Sequence, residues 1–432
     1  MKDKIKRIII EWQEKKHDTI FSRRYNCEYS EEINTIIGLR RSGKTYFIFS
    51  QIIQLIKEGV HPSFILYINF DDERLSEIQS EHLDLITDAY FELYPENIDN
   101  VIYIFFDEIQ NIQNWHLFIK RLYEQKRFKI TITGSSSKLL AKEIATELRG
   151  RTLSLFFYPL CFREFLEFKK FEFNKNIEFS KNRFQLIKYV DEFLNYGGFP
   201  RICLVSSVNM KKELLKDYLD MIIYKDIVER YDVRNTHLLK IIIQYLLSNC
   251  ASEFSINSFI KKFKNEYRLN KDTVFNYFSY LEDVGFIHYL PRFSYKMHQR
   301  YLVKKVYIAD NGFTQLFVFR GMEISGRLLE NLVFTELLKN YRQIFYFKDE
   351  KNYECDFIIS ENQKVKQAIQ VTHTISFKNR DREIRGLITA LKKFNLKKGI
   401  IITTADEQQS IIEDGYEINI TPLWKYLLNI SS

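Results

Sequence analysis

The sequence predicts an α/β protein of several domains, led by a parallel sheet with helices on both faces. Three observations carry this. Apolar runs alternate with helically spaced segments from about residue 34 to 157. A Gly-x-x-x-x-Gly-Lys-Thr pattern, Gly38 to Thr45, stands at the first strand-to-helix junction. The alternation gives way to helical spacing near 160 and resumes after Ser325. At 432 residues and 52.2 kDa the chain exceeds one ordinary core and fits two or three domains at roughly 100–200 residues each.

Taken in order, residues 2–16 read as a short amphipathic helix. The segment 32–37 is a strand that stops at Gly38, and a helix continues from the loop to about 58. Strands follow at 63–70 (SFILYINF), 101–107 (VIYIFFD), 129–133 (KITIT) and 151–157 (RTLSLFF), with helices at 81–93 and 115–126 between them. Apolar strands joined by helices imply a parallel sheet buried on both faces. Residues 160–235 are helical, interrupted by Gly197-Gly198-Phe199-Pro200, and are expected to form a lid and connector. Three helices follow, at 237–249, after the cap candidate Ser255, and at 270–285. Strands at 286–290 and 301–308 flank a loop, which is winged-helix order. A last helix at 328–339 leads into strands at 343–347, 354–359, 367–372 and 398–403, a second α/β unit. The expected domains are therefore 1–158, 159–235, 236–310 and 311–432, with no internal repeat.

Composition narrows the class. Charged residues are 28% and hydrophobic residues 45%, and Gly (14) and Pro (6) are scarce, so the chain is globular without long low-complexity tracts. Lys+Arg 64 against Asp+Glu 56 gives +8, which permits a polyanion partner without requiring one. Five scattered Cys without a CxxC argue against a disulfide framework or a zinc site. The His residues, His61, His82 and His116 among them, lack metal-ligand spacing. The longest apolar runs fall far short of the ~20 residues that span a bilayer, and the start carries no secretory pattern. A cytoplasmic protein with no membrane segment is expected.

The chemistry centres on Gly38-Leu39-Arg40-Arg41-Ser42-Gly43-Lys44-Thr45. Glycines let successive backbone amides turn inward around phosphate oxygens, and the helix start adds its positive end. Lys44 would reach the β- and γ-phosphates of ATP, and Thr45 would hold Mg²⁺. Asp107-Glu108 closes an apolar strand: Asp107 would bind the Mg²⁺ and Glu108 would polarise the attacking water. The strand ending Thr133-Gly134-Ser135 would touch the γ-phosphate region if it lies between the loop strand and the Asp107 strand. Ser135 is the first candidate for that sensor and Thr133 the second. Arg149 or Arg151 could enter a neighbouring protomer's site in a homo-oligomer; as surface arginines they would read identically.

These motifs resemble the AAA+ type of P-loop ATPase. More narrowly, Gly38–Thr45, Phe106-Asp-Glu-Ile-Gln110, Gly134-Ser-Ser136 and Tyr158-Pro-Leu-Cys-Phe-Arg-Glu-Phe165 look like one prokaryotic family. Gly197–Pro200, Tyr224-Lys-Asp-Ile227, Tyr307-Ile-Ala-Asp310 and Leu328-Leu-Glu-Asn-Leu-Val-Phe334 extend the likeness over nearly the whole chain. That family joins an AAA+ domain to a winged helix and a C-terminal nuclease-like domain. The resemblance implies ATP binding and hydrolysis but no settled biological role.

In the middle domain, Lys271, Thr273, Asn276 and Tyr277 stand on the third helix. Lys261, Lys262, Lys264, Arg268, Arg292, Lys296, Arg300, Lys304 and Lys305 lie nearby, the charge that DNA contact needs. Such a unit also serves simply to join domains. The tail resembles a PD-(D/E)XK core, which implies a helix acid at Glu330 and a strand acid at Asp356. Its third element is Gln370-Val-Thr372, an amide and a hydroxyl where the family has a carboxylate and a lysine. Lys378 or Arg380 are the candidates to supply the missing charge. Binding without cleavage is therefore expected. The leading reading is an ATPase coupled to DNA; the others are a switch on a protein partner and an ATP-gated nuclease.

Overall fold

The structure, a computed structural model, describes residues 1–14, 20–21, 23–25, 29, 31–134, 146–148, 150–174, 176–267, 269–296, 303–317, 325–377 and 379–430. The chain forms two compact units, Met1–Tyr158 with Asp283–Gly285, and Pro159–Glu282 with Phe286–Ser432.

The first unit is the expected parallel sheet. Helix α1 (Lys2–Glu14) buries Ile5, Ile8 and Ile9, spaced to share one face. Strand β1 (Ile33–Ile37) is buried at every position because helices cover both faces. Then follow α2 (Lys44–Lys57), β2 (Ile65–Asn69), α3 (Asp84–Leu93), β3 (Ile102–Asp107), α4 (Trp115–Glu124), β4 (Phe128–Gly134) and β5 (Thr152–Phe156). All pairings are parallel in the order β2-β3-β4-β1-β5. Phe47, Ile48, Ile52 and Leu55 of α2 pack with Ile36 and Phe105 in one apolar layer. The helices α1, α3 and α4 contribute to the other. The register sets Ile37 beside Gly134, and Asn69 beside Asp107. The carboxyl ends of β1, β3 and β4 are thereby neighbours, where α/β sheets bind ligands.

The second unit opens with α5 (Phe162–Phe168), α6 (Asn182–Tyr196), α7 (Pro200–Leu204) and α8 (Val208–Met221). A π-helical segment, Ile222–Val228, continues α8. Residues 236–308 hold α9 (Thr236–Ser248), β6 (Ser252–Phe254), α10 (Ile256–Phe263), α11 (Lys271–Asp283), β7 (Ile287–Pro291) and β8 (Lys304–Ile308). Ser255 caps α10 by accepting the Ser258 amide. The antiparallel sheet runs β6-β8-β7. The expected pair of strands is therefore three, because β6 is too short to show a period.

The C-terminal part contains α12 (Ser325–Asn340), β9 (Ile344–Lys348), β10 (Glu354–Glu361), β11 (Lys364–Val371), α13 (Arg380–Phe394), β12 (Lys398–Thr403), β13 (Gln409–Glu413), β14 (Tyr416–Pro422) and α14 (Leu423–Ile430). Its sheet has six strands, in the order β13-β14-β12-β11-β10-β9, where four were expected. Asp310 binds the Gly197-Gly198 turn to the segment after β8. Its Oδ2 accepts the Gly198 amide at 2.7 Å and its Oδ1 the Gly312 amide at 2.8 Å. Gly197, at φ 73°, has no room for a side chain there, because a Cβ would stand 1.6 Å from Asp310 Oδ1.

Candidate functional site

The loop after β1 turns on two glycines. Gly38 runs against the end of β5, and a Cβ on it would meet the Phe157 carbonyl oxygen at 2.1 Å. Gly43 has φ 101° at the start of α2, a left-handed conformation that favours glycine. Arg41 also takes positive φ, 65°. Ser42 is fully buried, while Arg40 is half-buried and Arg41 exposed. Arg23 braces the loop from below: its guanidinium donates to the Ser42 and Tyr158 carbonyls, both at 2.8 Å, and lies over the Phe157 ring.

Lys44 is buried and folded back on the loop, donating to the Gly38 and Leu39 carbonyls at 3.0 and 3.2 Å. Its ammonium lies 3.7 Å from Glu108. The Thr45 hydroxyl donates to Asp107 Oδ2 at 2.7 Å, and Tyr67 on β2 donates to the same oxygen at 3.1 Å. Thr133, at the end of β4, donates to Asp107 Oδ1 and accepts the Glu108 amide at 3.0 Å. Gln110 donates to Glu108 at 2.6 Å. Burial pushes the Asp107 carboxyl above its ordinary value and the Glu108 charge adds to this, against the Thr133 and Thr45 bonds that favour ionisation. Mg²⁺ is a hard cation, and the Thr45 hydroxyl beside the Asp107 carboxylate is a donor set that fits it.

Strand β4 lies between β1 and β3, so Thr133 is among the grouped residues. Ser135 and Arg149 lie outside the described residues. Arg151 does not join the site. The Ile33 amide donates to its carbonyl, which places it at the opposite end of β1 from the loop. Its guanidinium faces Glu124 at 3.4 Å and the Tyr123 ring. Tyr67 and Arg23 escaped the sequence reading, because neither sits in a spacing that phosphate chemistry demands.

The tail assembles a second charged centre in the second unit. Lys305 is buried and stands within ion-pair distance of Glu354 (2.6 Å), Glu330 (2.8 Å) and Asp356 (3.1 Å). Tyr307 donates to Glu330 at 2.7 Å, and Asp356 Oδ2 accepts the Val371 amide at 2.9 Å. Burial disfavours the Lys305 charge, but Glu330, Tyr307, Asp356 and Glu354 outweigh it and hold the ammonium well above its usual range. Gln370 accepts the Asp356 amide at 3.3 Å and donates to Glu383 at 2.7 Å.

Several expectations need correction here. Lys305 belongs to this cluster and is closed to DNA. Thr372 bonds instead to the Thr374 carbonyl and to Asn379. Arg380 pairs with Glu413, and Lys378 lies outside the described residues, as do Arg268 and Arg300. Tyr277 is buried in the middle domain rather than offered from it. Among the described residues no group of three or more His, Cys, Asp or Glu side chains is placed to hold a metal ion.

The model of an AAA domain matches residues 30–166, and two domains of unknown function match 187–318 and 325–426. The uncharacterized protein MJ1544 of Methanocaldococcus jannaschii is 41% identical over 413 residues, covering 92% of this chain and 88% of that protein. The chain belongs to its family. Another relative, an uncharacterized protein of Haemophilus influenzae, is 29% identical and covers 91% and 94% of the two chains. A Walker-type ATPase of Pyrococcus abyssi aligns at 13% identity and TM-score 0.41, over 66% of this chain and 90% of that one. This chain thus joins an AAA domain to two domains of unknown function. No described helix is long and apolar enough to cross a membrane.

Proposed function

We propose that the chain binds and hydrolyses ATP with Mg²⁺, and that its nucleotide state governs contact with DNA. The observation that carries the first half is the convergence of Lys44, Thr45, Asp107, Glu108 and Thr133 at one end of the parallel sheet. In this reading Lys44 leaves the Gly38 and Leu39 carbonyls for the β- and γ-phosphates, while the loop amides cradle them. Thr45 and Asp107 hold Mg²⁺, which neutralises charge on the phosphoryl group. Glu108, held by Gln110, polarises the water, and Thr133 fixes Asp107 and Glu108 relative to each other.

The order helix, strand, helix, helix, strand, strand in 236–308, with the sheet β6-β8-β7, supports a winged helix there. Lys261, Lys262 and Lys271 on its helices, and Lys264 just after α10, are exposed and favour a DNA backbone as partner. The order α12-β9-β10-β11-α13-β12 supports a nuclease-like core in the tail. Gln370 and Thr372 in place of a carboxylate and a lysine favour binding without cutting.

ATP turnover with and without duplex DNA tests this. Turnover is expected to rise with DNA, to vanish with ATP binding in Lys44→Ala, and to fall by roughly 10²-fold or more in Glu108→Gln with binding kept. Unchanged turnover in Glu108→Gln would sink the assignment. Indifference to DNA would transfer the reading to a switch acting on a protein partner. Plasmid DNA should stay intact with Mg²⁺ or Mn²⁺.

A further inference from the structure

In the C-terminal domain the two acids that the nuclease-like resemblance assigns to a metal, Glu330 and Asp356, already share a cation. It is the Lys305 ammonium, 2.8 and 3.1 Å from them, with Glu354 closing a third side at 2.6 Å. Lys305 comes from β8, Glu330 from α12, and Glu354 and Asp356 from β10, so the ion pairs tie three elements together. Two further groups engage the same acids, Tyr307 on Glu330 and the Val371 amide on Asp356. The Lys305 ammonium thus stands between the two acids, where a shared cation would stand.

We propose that Lys305 replaces the divalent cation, making this centre a fixed ionic joint between 236–310 and 311–432. The proposal rests on the nuclease-like reading of the tail. A buried ammonium satisfies the acids as a metal would, but it provides no site for an activated water. The consequence is that removing the lysine charge uncovers a cation site.

Mn²⁺ binding and thermal melting test this without nucleotide, in an Asp107→Asn background that silences the ATP site. The parent is expected to bind no Mn²⁺ at the cluster. Lys305→Met, which keeps the chain length and loses the charge, should lower the melting temperature by roughly 10 °C. It should bind Mn²⁺ at least about tenfold more tightly, with most of the lost stability restored. Should Lys305→Met fail to fold, Lys305→Met with Asp356→Asn removes charge from both sides and is expected to fold and melt closer to the parent. Melting of Lys305→Met like the parent, or a melting loss that Mn²⁺ does not restore, would overturn the proposal. Mn²⁺ bound by the parent and lost in Asp356→Asn, with DNA uncut, would overturn it alone. Cutting of DNA would overturn both it and the reading of the tail as a binding domain.

Discussion

Asp310 is enclosed, and burial pushes its carboxyl up to about 6, against the Gly198 and Gly312 amides that favour the ionised form. Its folded-state value is raised above the ordinary 3.8, so the neutral acid suits the fold. Its stabilising contribution is full below about pH 4 and is lost as the pH rises through about 6. The shift corresponds to about 3 kcal/mol. Asp310→Asn, which stays neutral, removes this dependence. The stability of the wild type relative to Asp310→Asn should therefore grow by about 2 kcal/mol between pH 6.5 and 4, read from urea unfolding. A difference that stays flat over that range would refute the assignment. At this scale the phosphate loop was legible because its chemistry needs neighbours in sequence. Lys305 was not, because its partners arrive from 330, 354 and 356 and only folding makes them neighbours. Tyr67 was hidden for the same reason, since β2 meets Asp107 through strand pairing.

Long elements with a clear period, such as α2, β3 and α9, were readable from apolar spacing alone. Strand β6 has three residues, and β13 and β14 mix Gln, Glu and Asn with their apolar residues, so neither period nor composition marked them. The α10 and α11 helices, with the turn after α10, carry the exposed Lys261, Lys262, Lys264 and Lys271. Replacing all four with Gln should weaken duplex binding uniformly across sequences. The slope of log affinity against log salt should fall by roughly 1 for each phosphate that is no longer neutralised. An unchanged slope in a fluorescence anisotropy titration would remove these helices from the interface and leave 236–308 as a connector.

For the whole molecule, the position of Arg151 sets a condition on assembly. It stands one strand length, roughly 16 Å, from the loop of its own chain, so any part it took in hydrolysis would have to be at a neighbour's nucleotide. If a second copy completes the site, turnover per protomer should climb as protein concentration rises, in step with an increase in mass by light scattering. Constant turnover per protomer in an ATP-bound monomer would exclude a residue given in trans. The strand order β2-β3-β4-β1-β5 has a consequence for how the chain is made. Strand β1 is synthesised first, yet its two neighbours are β4 and β5. At ribosomal elongation rates, on the order of ten seconds separate residue 37 from residue 156. Through that interval the nascent segment INTII has both hydrogen-bonding edges open, so the emerging AAA-type domain depends on whatever shields it at the ribosome.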